Sequence, residues 1–338
     1  MRVVKIVKIG IAGFGTVGKA LISILRAEKD YLAEKFGLEF AIVAVYEFDG
    51  MLFTPEGLDV ATLVPETDIR SLPEWQPGTM AADQIDQQEY DIFVDMTPTN
   101  IETAEPAFTH FKKALCSDKD VVTSNKGPMM LYFHEVMDLA EQNSKRVMYE
   151  ATVGSAIPCI HEAQSGLNGN KVLRIEAILN GTSNYILTRM ASEKMDFQVA
   201  LKEAQERGYA ETDPTLDIGG HDAAGKLVIL ANTAMGLSKT IRDVKTEGIE
   251  HITLDAINMA EKEGFVIKHL GIADEQGNLE VRPKLVPKNS PMGAAITGTH
   301  NAFKFVTELG KDIIITGRGA GGIEAAAAVL SDLINVSK

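Results

Sequence analysis

A glycine-rich turn near the amino terminus constrains the fold of this chain most strongly. Residues 13–18 read Gly-Phe-Gly-Thr-Val-Gly and separate the strand-like run VVKIVKIGIAG from a helical pattern that extends from Thr16 to about Lys35. In such a turn the first glycine permits a tight bend, the second lets the backbone approach a pyrophosphate, and the third lets the helix pack closely on the sheet. Because a helix N-terminus attracts phosphate, the turn predicts a dinucleotide site formed by Gly13, Phe14, Gly15, Thr16, Val17 and Gly18. The alternative is a glycine turn without a ligand.

Short apolar runs alternate with helical segments over the first 150 residues. The later runs are FAIVAVY (40–46), YDIFVDM (90–96), DVVTS (120–124) and RVMYEA (146–151), with the helical segment IETAEPAFTHFKKAL at 101–115. This alternation predicts an α/β domain with a doubly wound parallel sheet of the Rossmann type.

The pattern changes after residue 152. An alternating strand, KVLRIEAILN, is followed by two helical segments and by strands that contain Gly and Pro around 265–300, which predicts a second, mixed α/β domain. The last segment reads as a strand, a glycine turn and an alanine-rich helix, and we expect that helix to return to the first domain. The expected boundaries are 1–152 together with 318–338 for the first domain, and 153–317 for a second, substrate-binding domain.

Charge and composition exclude several partners. The 338 residues carry a formal net charge of −14, which disfavours nucleic acid and anionic membranes as partners. No run approaches the roughly eighteen apolar residues that span a bilayer. The first residues resemble a short signal peptide, but Lys5 and Lys8 interrupt them, and we read them as a first strand. We therefore expect a soluble, cytoplasmic protein in which Cys116 and Cys159 are small buried residues, since two cysteines are too few for a disulfide framework.

Polar residues follow the predicted strands, where ligands bind in a parallel α/β sheet. Glu47 follows the second strand, and an acidic side chain there accepts hydrogen bonds from ribose hydroxyls and repels a 2′-phosphate. Glu47 lies 29 residues after Gly18 rather than the usual ~20, because the charged stretch AEKDYLAEKFG lengthens the connection. We therefore expect NAD to be favoured over NADP. Thr97 and Pro98 end the third strand, and Lys126 follows the fourth, where it can reach the nicotinamide.

An acidic stretch marks the second domain. Residues 208–226 read GYAETDPTLDIGGHDAAGK, with four acidic residues before a single lysine. Asp222 and Lys226 are four residues apart and share one helix face, an arrangement that also occurs as an ordinary helix-start ion pair. Glu211, Asp213 and Asp217 precede that helix between Pro and Gly turns. Carboxylates gathered in this way suit a bound cation such as a substrate ammonium.

From Ala204 to Lys226 the chain resembles the homoserine dehydrogenase signature. That signature is an alanine, three residues, a glycine, an aromatic residue, Asp-Pro, Asp, Gly-x-Asp and a lysine four residues later. The resemblance covers nearly the whole chain in the family's order, and includes residues 13–18, 97–100, 124–126, 150–154, 180–185 and 319–322. It implies NAD(P)-dependent interconversion of L-homoserine and L-aspartate 4-semialdehyde, within threonine, methionine and isoleucine biosynthesis.

The resemblance also implies roles for individual residues. Lys226 and Lys126 correspond to the catalytic lysines, and Glu211, Asp217 and Asp222 to residues that bind the amino acid. Glycines at 208 and 321 correspond to positions near the cofactor. The family's monovalent cation site, which suits Na⁺, corresponds to the Glu150 carboxylate with the carbonyls of Val153, Ser155 and Ile157. A homodimer formed through the second domain's sheet is implied as well.

Two features depart from the family pattern. The sequence ends soon after its last predicted helix, so we expect none of the C-terminal regulatory extension of longer relatives. Arg318 stands where a small residue or proline is expected, and an arginine beside the cofactor affects acceptance of a 2′-phosphate.

Two alternative functions remain open from the sequence. An enzyme related to aspartate-semialdehyde dehydrogenase needs a thiol nucleophile, and neither cysteine lies in an activating context. A non-catalytic dinucleotide sensor needs the glycine turn but has no use for the acidic stretch and its lysine.

Overall fold

The computed structural model describes residues 3–338, so Met1 and Arg2, at the start of the predicted first strand, lie outside the described residues. The chain forms two compact units. One comprises the described part of Met1–Ser155 together with Gly321–Lys338, and the other is Ala156–Ala320. These limits lie within three residues of the expected domain boundaries.

The first unit is built on a seven-stranded sheet with the order β4-β3-β2-β1-β5-β6-β7. Its strands are β1 (Lys5–Ala12), β2 (Leu38–Glu47), β3 (Gly50–Phe53), β4 (Trp75–Pro77), β5 (Ile92–Asp95), β6 (Asp120–Thr123) and β7 (Val147–Met148). β1 pairs in parallel with both β2 and β5, and β6 and β7 continue the parallel part. The chain therefore reverses direction of winding at β1, which confirms the doubly wound sheet and opens a crevice at the carboxyl ends of β1 and β5.

Two antiparallel strands extend this sheet beyond β2, and the sequence analysis missed both. β3 pairs with β2 from Glu47↔Gly50 onward, so only Phe48 and Asp49 form the connecting turn. β4 then pairs with β3. These strands have only four and three residues, too few for a recognisable alternation, and they form because the edge of β2 offers unpaired backbone groups.

The helices of the first unit cover the sheet, and some predicted elements of this unit have other bounds, among them the helical segment 101–115, whose helix begins only at Ala107. The helices are α1 (Thr16–Ala27), α2 (Lys29–Phe36), α3 (Ala81–Gln84), α4 (Ala107–Cys116), α5 (Lys126–Leu131) and α6 (Phe133–Gln142). The single helix predicted from Thr16 to Lys35 is broken at Glu28, whose ψ of 12° is not helical. The fifth predicted strand, 146–151, is also too long, because the backbone turns at Tyr149 into a short helical turn, Glu150–Thr152.

The second unit contains a six-stranded sheet with the order β13-β12-β8-β10-β11-β9. Its strands are β8 (Val172–Ile178), β9 (Val244–Thr246), β10 (Phe265–Asp274), β11 (Leu279–Pro287), β12 (His300–Thr307) and β13 (Lys311–Arg318). All pairs are antiparallel except β9 with β11. The helices are α7 (Cys159–His161), α8 (Gly181–Glu193), α9 (Phe197–Glu206), α10 (Thr215–Ile218), α11 (His221–Met235), α12 (Leu254–Lys262) and α13 (Pro291–Ala294). This is the mixed second domain that the sequence predicted.

The last helix, α14 (Gly322–Val336), belongs to the first unit, where it packs against α1. Leu21 and Leu25 of α1 are buried, as the helical spacing predicted, and Val329 and Leu333 of α14 are buried in the same core. At the start of α14, a Cβ on Gly322 would lie 2.6 Å from the methyl carbon of Thr16. The glycine there lets the N-termini of the two helices approach closely.

The two cysteines differ in exposure. Cys159 is buried, but the expected burial of Cys116 is wrong, because this residue is exposed at the end of α4, off the apolar stripe that faces the sheet. Among the helices in residues 3–338, none combines the length and the apolar character needed to cross a bilayer.

Lys268 of β10 is a buried lysine. It is 4% exposed, and its ammonium donates hydrogen bonds to Asn184 Oδ1 at 3.0 Å and to the Ile296 carbonyl. Burial lowers the pKa of Lys268 to about 8, whereas a lysine in the unfolded chain titrates near ~10.4. Between these values the unfolded state binds more protons, so the folded state gains stability as the pH rises.

We therefore expect the free energy of unfolding of the wild type to rise by about 1–2 kcal/mol relative to Lys268→Met between pH 7.5 and 9.5. Urea denaturation at several pH values measures the difference. Lys262→Met, at an exposed position, serves as the control and is expected to follow the wild-type curve. Parallel curves for the wild type and Lys268→Met would contradict the prediction.

Candidate active site

The three motif glycines of the first unit have different surroundings. Gly13 has a φ of +94°, and a Cβ there would lie 2.7 Å from the Met96 carbonyl oxygen. A Cβ on Gly18 would lie 2.2 Å from the Gly13 carbonyl oxygen, so both positions exclude any side chain. Beside Gly15, by contrast, the space is open, and no side chain caps the N-terminus of α1 that follows it. A bent loop with an open centre at a free helix N-terminus fits the pyrophosphate of a dinucleotide.

Glu47 lies against this loop. Its Oε1 accepts a hydrogen bond of 2.5 Å from the backbone N–H of Phe14, which fixes the carboxylate at the carboxyl end of β2. It lines a cavity of about 360 Å³, and the lining residues are Phe14, Gly15, Lys19, Glu47, Glu66, Thr67, Asp68, Ile69 and Arg70. The structure therefore places the predicted ribose-binding carboxylate next to the predicted phosphate loop.

The turns after β5 and β6 are fastened to each other at the same edge. The Asn125 side-chain amide donates to Thr97 Oγ1 at 3.0 Å and to the Pro98 carbonyl at 3.2 Å. Its carbonyl oxygen accepts from the N–H of Gly127 and so caps α5, the helix that begins at Lys126. These bonds hold the predicted Thr97-Pro98 turn and the start of the Lys126 helix in one fixed arrangement.

Asp95, the last residue of β5, supports this arrangement from below. Its Oδ1 accepts hydrogen bonds from the N–H and the hydroxyl of Thr97, at 2.9 and 2.7 Å. Asp95 is fully buried, and its Oδ2 lies 3.7 Å from Nδ1 of the buried His110. Sequence reasoning missed the supporting roles of Asn125 and Asp95. The available signal was their position at the two strand ends that frame the edge.

In the second unit, the acidic stretch forms a compact polar cluster around Asn180. The Asn180 amide donates to Asp217 Oδ1 at 2.7 Å and to Asp222 Oδ2 at 3.0 Å. The Lys226 ammonium donates to the same Asp222 oxygen at 2.6 Å and to the Leu179 carbonyl at 3.0 Å. The Lys226 and Asp222 side chains are 11% and 14% exposed. We name Asn180, Asp217, Asp222 and Lys226 the 226 cluster.

Three short segments bring the 226 cluster together. Asn180 follows β8 and caps α8, because its carbonyl oxygen accepts from the N–H of Ser183 at 2.8 Å. Asp217 lies on α10, and the left-handed backbone of Gly220, with a φ of +86°, turns the chain into α11, which carries Asp222 and Lys226. The helical spacing correctly predicted that Asp222 and Lys226 pair, but it did not identify Asn180, the residue that joins them to Asp217.

Burial and charge act together on Asp217. Burial raises the pKa of the Asp217 carboxyl, and the neighbouring Asp222 carboxylate raises it further, against the opposing effects of the Asn180 hydrogen bond and the Lys226 charge. The ionised form of Asp217 is therefore less favourable than in water. A positively charged group bound beside Asp217 would stabilise its ionised form, and a substrate ammonium is such a group.

The other two predicted acidic residues have contacts outside the 226 cluster. Asp213 Oδ1 accepts from the N–H and the hydroxyl of Thr215, at 3.1 and 2.6 Å, so this side chain caps the turn into α10 and the predicted grouping is wrong for it. Glu211 is exposed, and its backbone carbonyl accepts from the Gln205 amide at 3.1 Å. Pro214 follows Asp213 directly, and Asp217 comes after it on α10.

The remaining predicted residues occupy turns. Gly208 follows α9 with a φ of +73°, Gly321 precedes α14 with a φ of +134°, and Arg318 ends β13. Glu150 is buried, and its N–H donates to Asp332 Oδ2 at 2.8 Å. Burial raises the pKa of Asp332 to about 8.

The segment predicted to bind a cation is a tight turn closed by backbone hydrogen bonds. Val153 N–H donates to the Glu150 carbonyl at 3.2 Å, and Gly154 and Ser155 both have positive φ angles. The Ile157 carbonyl accepts from the Cys159 N–H at 2.7 Å. Within residues 3–338 there is no group of three or more His, Cys, Asp or Glu side chains that could hold a metal ion.

Two family models match this chain. Residues 158–334 match the model described as homoserine dehydrogenase, and residues 13–150 match the homoserine dehydrogenase NAD binding domain. Among individual proteins, a homoserine dehydrogenase of Methanocaldococcus jannaschii is 44% identical, over 96% of this chain and 97% of its own. An NAD(+)-dependent homoserine dehydrogenase of Pseudomonas canavaninivorans is 36% identical, over 97% and 96%.

Solved structures agree with these matches. The crystal structure of a putative homoserine dehydrogenase from Archaeoglobus fulgidus has a TM-score of 0.88 and 38% identity, covering 98% of this chain and 99% of its own. A hyperthermophilic archaeal homoserine dehydrogenase in complex with NADPH has a TM-score of 0.84 and 28% identity, covering 98% of both chains. These matches confirm the resemblance read from the sequence. The chain belongs to the homoserine dehydrogenase family and is an NAD(P)-dependent oxidoreductase that interconverts homoserine and aspartate semialdehyde.

Proposed function

We propose that Lys226 transfers the proton in this reaction and that Asp217, Asp222 and Glu211 bind the amino acid substrate. The observation that carries the proposal is the shared Asp222 oxygen, which accepts from both Lys226 and Asn180 while Asn180 also holds Asp217. One amide thus fixes two carboxylates and, through them, the ammonium. General acid–base catalysis needs such fixed geometry, because the proton must be delivered to one atom.

The bound nicotinamide dinucleotide supplies the hydride chemistry, and the side chains supply binding and proton transfer. In the reducing direction, the Lys226 ammonium donates a proton to the carbonyl oxygen of the semialdehyde. In the oxidising direction, the Lys226 amine accepts the proton of the homoserine hydroxyl. The hydrogen bond to the Leu179 carbonyl and the ion pair with Asp222 limit the directions in which Nζ can point.

The substrate's own ammonium is the cation that the carboxylates lack. Asp222 already shares one oxygen with Lys226, whereas Asp217 is held by an uncharged amide and has a raised pKa. We therefore assign Asp217 to the substrate ammonium, with the exposed Glu211 as a second contact. On the resemblance, Lys126 is proposed as the second catalytic lysine; it begins α5, the helix that Asn125 caps.

Lys226→Ala is expected to lower kcat by roughly 10²–10⁴-fold, the usual weight of general acid–base catalysis. Incubation with homoserine and NAD⁺ or NADP⁺ across pH 7 to 10, followed at 340 nm, measures both the reaction and the effect. Lys202→Ala, on the exposed face of α9, is the matched control and is expected to leave kcat unchanged. Near-normal kcat in Lys226→Ala together with loss of activity in Lys126→Ala would reverse the two assignments.

We also propose that NAD is preferred to NADP. The support is the Glu47 carboxylate, held at the glycine loop by the Phe14 N–H, where it can accept from ribose hydroxyls and repel a 2′-phosphate. One relative carries NAD(+)-dependent in its name, whereas another was solved with NADPH, so the family includes proteins that bind either cofactor. In this chain we assign to Glu47 a direct part in the choice between them.

Glu47→Ser is expected to shift the ratio of kcat/KM for NAD to that for NADP by about tenfold or more toward NADP, because ribose hydrogen bonds are lost and a negative charge is removed. Glu47→Gln serves as the comparison, since it keeps an acceptor for Phe14 and the ribose but removes the charge. A wild-type protein that strongly favours NADP would contradict the proposed preference for NAD.

A monovalent cation, Na⁺, is proposed to bind the Glu150 carboxylate and the carbonyls of Val153, Ser155 and Ile157. Glu150 is buried in a tight turn, and oxygen ligands suit a hard cation. The hydrogen bond from Cys159 leaves the Ile157 carbonyl one free lone pair, since a carbonyl oxygen has two.

Replacing NaCl by tetramethylammonium chloride at equal ionic strength is expected to lower the Tm of the wild type by a few degrees, because the large cation cannot enter the turn. Glu150→Gln is expected to abolish the difference between the two salts. Equal Tm values of the wild type in both salts would contradict the cation site.

Further features are proposed on the resemblance. The protein acts in the cytoplasm, in the pathway that leads from aspartate to threonine, methionine and isoleucine, and it forms a homodimer through the sheet of the second unit. Leu285 of β11, on that sheet, is 59% exposed and would be available to such an interface.

A further inference from the structure

The two-residue turn after β2 carries a second acidic residue, Asp49, whose partner Arg70 lines the same cavity as Glu47. Asp49 forms a two-point ion pair with Arg70, with Nε to Oδ2 at 2.7 Å and Nη2 to Oδ1 at 2.8 Å. Both side chains are a little over one-third exposed. Arg70 lines the 360 Å³ cavity together with Glu47, so the ion pair lies at the wall of the proposed ribose site.

Ring contacts hold Arg70 in place as well. Its guanidinium carbon lies 5.6 Å from the centroid of Phe48 and 5.5 Å from that of Trp75, on β4. The antiparallel extension of the sheet supplies both rings and Asp49, so this extension fixes the guanidinium from several sides. An arginine fixed in this way loses little conformational freedom when it binds an anion.

The charges around the cavity decide what this arginine can do. The cavity is lined by three acidic side chains, Glu47, Glu66 and Asp68, and by two basic ones, Lys19 and Arg70. The Lys19 ammonium donates to the Pro65 carbonyl at 2.7 Å. The lining side chains therefore carry a net negative charge, which repels a 2′-phosphate unless Arg70 binds it. The planar fork of an arginine matches a phosphate well, but Asp49 already accepts two of its N–H groups at 2.7 and 2.8 Å, and Asp68 Oδ1 lies 4.0 Å from Nη1 as a more distant third contact.

We propose that Asp49 is a second cofactor-specificity residue, which works through Arg70: it engages the guanidinium in a two-point ion pair and so keeps it from binding the 2′-phosphate of NADP. This inference rests on the proposed dinucleotide site and deepens the proposed preference for NAD. Glu47 repels the 2′-phosphate directly, whereas Asp49 removes the group that would attract it. Loss of Asp49 alone therefore opens the site to NADP while the ribose contact of Glu47 remains.

Binding of two nucleotide fragments tests the inference without catalysis. Isothermal titration calorimetry compares 2′,5′-ADP, which carries the 2′-phosphate, with 5′-AMP, which lacks it, on the full chain. Asp49→Asn is expected to tighten binding of 2′,5′-ADP by about tenfold or more and to change 5′-AMP binding by less than about threefold. The ratio of kcat/KM for NADP to that for NAD is expected to rise in parallel.

Two further variants separate the mechanism from a general change of charge. Glu66→Gln removes one negative charge from the same cavity but leaves the Asp49–Arg70 pair intact, and it is expected to shift 2′,5′-ADP binding by less than about threefold. In Asp49→Asn/Arg70→Met the gain in 2′,5′-ADP binding is expected to disappear. Circular dichroism and Tm establish that each variant is folded.

Three outcomes would overturn the inference: no gain in Asp49→Asn, an equal gain in Glu66→Gln, or a gain that persists without Arg70. The result of the fragment-binding experiment can be told apart from the test of the proposed NAD preference. A wild type that favours NADP contradicts the role of Glu47, while the fragment affinities still report whether Asp49 restrains Arg70. Likewise, failure to oxidise homoserine leaves the fragment measurements unaffected.

Discussion

The hydrogen bonds of the Asn180 side chain are the interaction on which the chemistry proposed for the second unit depends. Two carboxylates placed close together in a partly buried site repel each other, and one uncharged amide donates to both. Its carbonyl oxygen at the same time caps α8, so the cluster is anchored to a thirteen-residue helix rather than to a loop. The Lys226 ammonium then donates to an Asp222 carboxylate that the Asn180 amide already orients. Without the amide, the two acids would separate and the lysine would lose a fixed partner.

In the first unit, backbone geometry holds the glycine loop in a fixed conformation. Gly13 and Gly18 exclude side chains because neighbouring carbonyl oxygens lie where a Cβ would be, and this close packing leaves the centre of the loop open at Gly15. At the other strand ends, Asp95 and Asn125 fix the turns that carry Thr97 and Lys126. Each position that would contact a ligand is thus held by a hydrogen bond or a steric limit that exists before the ligand binds, which reduces the entropy lost on binding.

The antiparallel extension formed by β3 and β4 bears on the proposed cofactor preference. It adds nothing to the winding of the parallel sheet, but this extension and the turn that leads into it place Asp49 and two aromatic rings around Arg70. In the proposed dinucleotide site, the charges at the ribose end therefore depend on a part of the sheet that is separate in sequence from the glycine loop.

The sequence by itself determined the doubly wound sheet, the glycine loop, the position of Glu47 at a strand end and the pairing of Asp222 with Lys226, because each follows from local periodicity or from spacing within one element. Its resemblance to a known family identified the reaction. Only the tertiary structure decided that Asn180 joins Asp217 to that pair and that Arg70 contacts Asp49, twenty-one residues away. These contacts join residues from separate elements, and a hydrogen bond between distant segments leaves no periodic trace in the chain.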